Sequence, residues 1–220
     1  MQDNQVVGIG SGSTIEYAIR RLNERVINEN LKTICIPSSY QALRSLQSFE
    51  SLQISTLDRN PEAYVAIDGA DEVDGDMNLI KGGGGCLTQE KIVISCAKKV
   101  VIIADYRKDV QKFGQSFNFI PIEVIPMAQR PVLEKISKMF GGKPVLREAK
   151  QKAGPLVTDN GNFIIDWFFD KDKDYDWNEV NISLSLIPGI VETGLFIQTA
   201  HKVFFGAADG NVTSRGNDKL

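Results

Sequence analysis

The sequence predicts an α/β protein: a Rossmann-like parallel sheet with a smaller ferredoxin-like α+β domain inserted near the C-terminus. Three observations predict it. Short apolar runs bounded by turn residues recur at 6–9, 33–37, 63–67 and 100–104, each of strand length. Helical periodicity separates most of them, and strand alternating with helix implies parallel pairing with right-handed crossovers. Beyond Asn118 the rhythm becomes β-α-β-β-α-β, the order of a ferredoxin-like unit.

The elements follow in chain order. The first run leads into Gly10, Ser11, Gly12, Ser13 and Thr14. A helix opens near Ser13, because Ile15, Ala18, Ile19, Leu22 and Val26 fall on one face. The second run ends in Pro37, Ser38 and Ser39, the third at Asp68 and the fourth at Asp105. Between the last two, Ile92, Val93, Ile94, Cys96 and Ala97 mark an apolar helix with Glu90 in its first turn. Residues 120–125 alternate as a strand. Pro131 introduces the helical face of Val132, Leu133, Ile136, Met139 and Phe140, closed by Gly141 and Gly142. Residues 144–147 and 162–169 read as strands, the second following the turn signal Asp159, Asn160, Gly161. Residues 177–187 fit a strand through Val180, Ile182, Leu184 and Leu186, and a helix through Trp177, Val180, Leu184 and Ile187. Asp176 as a cap, with Pro188 and Gly189 as terminators, decides for the helix. Residues 191–197 then form one final strand, and the tail from Ala200 returns to the first domain. The expected domains are 1–120 plus 200–220, and 121–199.

Bulk properties narrow the function. The chain has 220 residues, 42% of them hydrophobic, and a formal net charge of -3. No basic block stands out, which argues against a nucleic-acid partner. No apolar run approaches the ~20 residues needed to span a bilayer, and the first residues lack signal-peptide character. A cytoplasmic protein is expected, with no membrane partner. Cys35, Cys86 and Cys96 have no metal or redox spacing and fit reduced thiols. His201 is the only histidine, and no nucleophile elbow accompanies it, so a hydrolase triad has no support. Trp167, Trp177 and the phenylalanines at 168, 169, 204 and 205 read as core.

In open α/β sheets ligands bind outside the carboxyl ends of the strands, and every unusual motif lies at such an end. Asp68, Asp71, Asp74 and Asp76 run almost directly into Lys81, Gly82, Gly83, Gly84 and Gly85, and then Glu90, within about one loop. A carboxylate can move a proton, a lysine can hold an oxyanion, and bare backbone can approach a ligand closely. That set suits proton transfer beside the carbonyl of a small anionic substrate. The acidic spacing does not match a calcium loop, and no metal is expected. Ser11, Gly12, Ser13 and Thr14 at a helix start suit a monophosphate. A dinucleotide fingerprint would require glycine at Ser13 and an acidic residue where Pro37, Ser38 and Ser39 stand. A nicotinamide-dependent dehydrogenase is therefore disfavoured, while a non-catalytic sugar-phosphate sensor remains the other alternative.

Taken together, Gly10 to Thr14, Asp68 to Glu72, Lys81 to Gly84 with Leu87 to Lys91, Ile103 to Lys108, and Pro188-Gly189 with Gly194 to Phe196 closely resemble the type A ribose-5-phosphate isomerases, of the animal branch. The resemblance covers nearly the whole chain. It implies reversible isomerisation of ribose 5-phosphate and ribulose 5-phosphate through an enediolate, in the non-oxidative pentose phosphate pathway, without metal or organic cofactor. It assigns the base to Glu90, the other catalytic groups to Asp68, Asp71 and Lys81, and substrate contacts to Ser11, Gly12, Ser13, Thr14, Gly82, Gly83, Gly84 and Lys108. It further implies a homodimer or higher homo-oligomer. Members of that family begin with an additional N-terminal helix that supplies a lysine near the phosphate, whereas here the first strand is expected about five residues from Met1.

Overall fold

The computed structural model describes residues 3–216. They form two compact units, one of residues 1–70, 89–108 and 199–220 and the other of residues 71–88 and 109–198, the described residues alone being considered below. Residues 71–88 and 109–120, which the sequence reading places in the first domain, pack within the second unit.

The first unit is built on seven strands: β1 (Gln5–Ile9), β2 (Thr33–Pro37), β3 (Gln53–Ile54), β4 (Val65–Asp68), β7 (Val100–Asp105), β13 (Lys202–Gly206) and β14 (Val212–Gly216). The other strands, β5 (Glu72–Val73), β6 (Leu79–Ile80), β8 (Ile120–Val124), β9 (Lys143–Leu146), β10 (Phe163–Phe168), β11 (Ile190–Thr193) and β12 (Leu195–Phe196), belong to the second unit. The seven-stranded order is β14-β13-β7-β4-β1-β2-β3. All neighbours are parallel except the hairpin of β13 and β14. Counted along the chain, the parallel strands stand in the order 3-2-1-4-5-6 of a doubly wound dinucleotide-type sheet. The order reverses between β1 and β4, whose ends pair Ile9 with Ile67.

Helix α1 (Ser13–Glu29) follows β1, and its buried face is Ile15, Ile19, Leu22 and Val26. Helix α2 (Tyr40–Gln47) follows β2, capped by Ser39 Oγ, which accepts from the N–H of Ala42. These helices bury Val7, Ile9 and Cys35. Burial pushes the Cys35 thiol up to about 12, so it is an inert core residue. Helix α3 (Leu87–Ser95) lies on β1 at Gly8, where an added Cβ would stand 2.5 Å from Val93 Cγ1.

The second unit carries a four-stranded antiparallel sheet of order β11-β8-β10-β9. With α4 (Gln129–Phe140) and α5 (Trp177–Ser185) it reads β-α-β-β-α-β along the chain, the ferredoxin-like order. Its core holds Ile120, Ile122, Val124, Val132, Ile136, Ile165, Trp167, Val180 and Leu184. A three-stranded sheet, β12-β6-β5, completes the unit. The single strand expected at 191–197 is two strands. It breaks at Gly194, whose N–H donates to Pro121 O at 2.7 Å and whose O accepts from Lys81 N at 2.9 Å. A Cβ there would lie 2.4 Å from Lys81 O, so the chain changes sheets where only glycine fits. Of the expected core aromatics, Trp167, Phe169 and Phe205 are buried, but Phe168, at the end of β10, is 36% exposed.

Candidate active site

In the first unit the site assembles at the carboxyl ends of β1 and β4. The N–H of Gly10 donates to Ile67 O at 2.9 Å, and the N–H of Ser11 donates to Asp68 Oδ1 at 3.2 Å. Asp68 Oδ1 also accepts from Gly69 N at 2.7 Å. The contact is close enough to need glycine: a Cβ on Gly10 would stand 1.9 Å from Asp68 Oδ1. Asp68 is 1% exposed. A buried carboxylate is tolerated when donors surround it.

Three residues outside the sequence-derived set shape the 11–14 loop. Ser11 Oγ donates to Ser39 Oγ at 2.6 Å and lies 3.3 Å from Ser38 Oγ. The N–H of Gly12 donates to Gln41 Oε1 at 3.1 Å. Only the Ser-Ser end of the second strand hinted at this, and it read simply as a non-acidic strand end. Gly12 is the N-cap of α1, at φ 107° and with no side chain to cap it. Ser13 is exposed, and Ser11 and Thr14 are half-buried. Uncapped first-turn N–H groups with flanking hydroxyls form the ordinary chemistry of an anion seat. Lys108 ends a 3₁₀ turn directly after β7, whose Ile102 pairs with Asp68. Glu90 lies in the first turn of α3 and is 5% exposed.

The remaining predicted residues lie in the second unit. The acidic segment proves to be a hairpin, β5 to β6, and not one loop. Asp71 precedes it, with its N–H on Ile80 O at 2.8 Å, and Lys81 follows it. Asp71 Oδ2 accepts from the N–H of Gly83 at 2.7 Å. Lys81 is 3% exposed, with Nζ 5.5 Å from the centre of the Phe196 ring. Gly83 and Gly84 are exposed and Gly82 is buried. Asp74 closes the hairpin turn, accepting from Asp76 N, Asn78 N and Asn78 Nδ2 at 3.0, 2.8 and 3.0 Å. Burial raises its pKa despite those donors. Among the described residues no three His, Cys, Asp or Glu side chains are arranged to hold a metal ion. His201 Nδ1 accepts from Val100 N at 3.2 Å and supports a strand end.

Glu72 carries no predicted role, yet it is fully buried. Its carboxylate accepts from Gly114 N, Ser116 N, Ser116 Oγ and Phe117 N at 2.7, 2.6, 3.1 and 3.0 Å. It anchors the segment after Lys108, and only its place in an acidic cluster made it visible beforehand.

Comparison with known proteins adds to the geometry. The family described as ribose 5-phosphate isomerase A (phosphoriboisomerase A) matches residues 34–210. The Homo sapiens ribose-5-phosphate isomerase is 56% identical over 216 residues, covering 98% of this chain and 68% of that protein. A probable ribose 5-phosphate isomerase of Caenorhabditis elegans is 49% identical over 215 residues, 97% of this chain and 85% of that protein. Among solved structures, ribose 5-phosphate isomerase A of Methanocaldococcus jannaschii superposes with a TM-score of 0.90 at 42% identity, covering 99% of this chain and 93% of that one. A D-ribose-5-phosphate isomerase in complex with phospho-erythronic acid gives 0.92 at 39% identity, with the same coverage.

Proposed function

The chain belongs to the ribose 5-phosphate isomerase A family, and we propose that it interconverts D-ribose 5-phosphate and D-ribulose 5-phosphate by proton transfer through an enediolate, as part of the pentose phosphate pathway. The observation that carries the reading is the bond from Ser11 N–H to Asp68 Oδ1 at 3.2 Å. It joins an anion-binding loop to a buried acid at the point where the strand order reverses, where sheets of this kind bind their ligands.

The roles follow from chemistry. The sugar ring opens first, Asp68 or Asp71 moving the hydroxyl proton. Glu90 removes the proton on C2, and the electron pair forms the C1–C2 double bond while negative charge collects on the former carbonyl oxygen. A proton then moves between the two oxygens, and Glu90 returns its proton to C1. Lys81 stabilises the oxyanion. Of the loop donors, the Gly83 N–H is committed to Asp71 and the Gly85 N–H to Gly82 O, so the backbone share of that task falls to Gly82 and Gly84. One such donor is worth roughly 3–4 kcal/mol, and a placed base about 10²–10⁴ in rate. The phosphate sits at Ser11, Gly12, Ser13 and Thr14 with Lys108, so that binding far from the reacting carbons orients them. A relative's complex with phospho-erythronic acid fits this scheme, because a planar carboxylate next to a hydroxyl-bearing carbon resembles the enediolate. The reading places the enzyme in the cytoplasm as a homodimer or higher homo-oligomer.

The test is conversion of ribose 5-phosphate to ribulose 5-phosphate in deuterated water, with Glu90→Gln alongside. Expected are turnover with solvent deuterium entering C1, and a loss of about 10²-fold or more in the folded variant while sugar-phosphate binding persists. A folded variant that turns over at the parent rate removes Glu90 from the role. Binding without turnover in the parent would make the chain a sensor.

A further inference from the structure

We propose that Arg147, held by Asp166, is a positioning residue for the site: it fixes the peptide between Gly82 and Gly83 and thereby aims an N–H at Asp71. The inference rests on the isomerase reading for the meaning of Asp71, but its geometry stands within the second unit alone.

Arg147 directly follows β9. Its N–H donates to Ile164 O at 2.8 Å and its O accepts from Leu156 N at 2.9 Å, so its backbone cannot wander. Its side chain is 12% exposed. Nε and Nη2 donate to Asp166 Oδ2 and Oδ1 at 2.8 and 2.5 Å, a two-pronged pairing that uses one edge of the guanidinium. Nη1 faces the other way and donates to Gly82 O at 3.0 Å and Gly83 O at 3.1 Å. The guanidinium carbon lies 5.7 Å from the centre of the Phe119 ring, which restrains the plane as well.

Peptide geometry turns this grip into an effect on Asp71. The O of Gly82 and the N–H of Gly83 belong to one planar trans unit and point in opposite directions. Holding that oxygen on Arg147 therefore directs that N–H to Asp71 Oδ2, 2.7 Å away. Without the grip, only the Gly85 N–H, at 3.0 Å, still holds the Gly82 oxygen, and glycines on both sides lower the resistance of the unit to rotation. Gly82 stands at φ 100°, and a Cβ on Gly83 would lie 2.7 Å from Asp71 Oδ1, so side chains cannot do the stiffening. A lysine could not replace Arg147, since it has no planar fork to bind a carboxylate and two carbonyls at once.

The experiment uses R147Q, R147K and D166N, each alone and combined with D71N, assayed with ribose 5-phosphate and followed by thermal unfolding and by the amide resonance of Gly83. D166N keeps the volume of the site and the Arg147 packing, and so carries the same test without deleting the guanidinium. Expected are a fall in kcat of roughly 10–100-fold in R147Q and R147K with KM changed less than about threefold, a smaller fall in D166N, and little further loss from R147Q once Asp71 is Asn. The Gly83 amide should lose its carboxylate-bonded shift in step with kcat. A folded R147Q with parental kcat, or losses that multiply fully in the D71N background, would overturn the proposal. Turnover of the parent tests the isomerase reading separately, and the Gly83 resonance reports the positioning whether or not turnover is seen.

Discussion

At the scale of single residues, candidates for chemistry were far easier to pick out in the sequence than the groups that support them. Asp68, Asp71, Lys81 and Glu90 announce themselves by type and by their place after strands. The groups that hold the neighbouring loops do not. Ser39, Gln41 and Arg147 lie 28, 29 and 64 residues from the loop atoms they bind, and nothing local marks such a pairing. The carboxylates also differ in ways that spacing cannot show. Asp74 is buried in the hairpin turn, and its pKa is raised, first by burial and lastly by the Asp76 charge. A raised carboxylate pKa means that the folded state holds the proton more tightly than the unfolded chain does. The term therefore opposes folding at neutral pH, and the opposition fades as pH falls through the window above the ordinary aspartate value of about 3.9. Thermal midpoints of the parent and Asp74→Asn, compared from pH 7 down to about 4, should show the parent gaining relative to the variant. A constant or shrinking parent advantage would contradict the burial argument.

At the scale of elements, caps and breakers were legible where they act locally. Residues 177–187 carried two periodicities, and the structure is helical over Trp177–Ser185 because Asp176 accepts from the N–H groups of Asn178 and Glu179, both at 3.0 Å. Ile182 and Leu186 remain 51% and 76% exposed, the residue of the strand-like alternation that did not win. Asp176→Ala should cost about 1 kcal/mol, a drop of roughly 2–4 °C in Tm for a chain of this size, and no change in kcat. A calorimetric scan checks it, and an unchanged Tm would mean that packing alone holds α5. Short elements escaped notice for the opposite reason. β3, β5, β6 and β12 have two residues each, too few for any period, and they exist because partner strands supply their hydrogen bonds.

At the scale of the whole molecule, the chain passes between its two units after Ala70, Thr88, Lys108 and Gln198. Neither unit is a continuous stretch, so neither has a sequence that could be severed cleanly from the other. Both tryptophans, Trp167 and Trp177, lie in the second unit, and their fluorescence reports that unit, whereas far-UV circular dichroism reports both. Because the chain is so interleaved, unfolding in urea is expected to give coincident midpoints by the two probes. Separated midpoints would show that the units unfold independently.

The sequence by itself determined the fold class, the βα alternation and the ferredoxin-like order, and marked the candidate site residues, because periodicity, caps and strand ends are local signals carried by side-chain type. Tertiary structure alone decided the strand order that puts β1 beside β4, the split of the last strand at Gly194, and the contacts of Ser39, Glu72 and Arg147 with segments distant along the chain. Those depend on which backbone groups are left without a partner once the sheets have formed. Buried N–H and C=O groups must be satisfied wherever a donor or acceptor can reach them, and reach is a property of the folded chain.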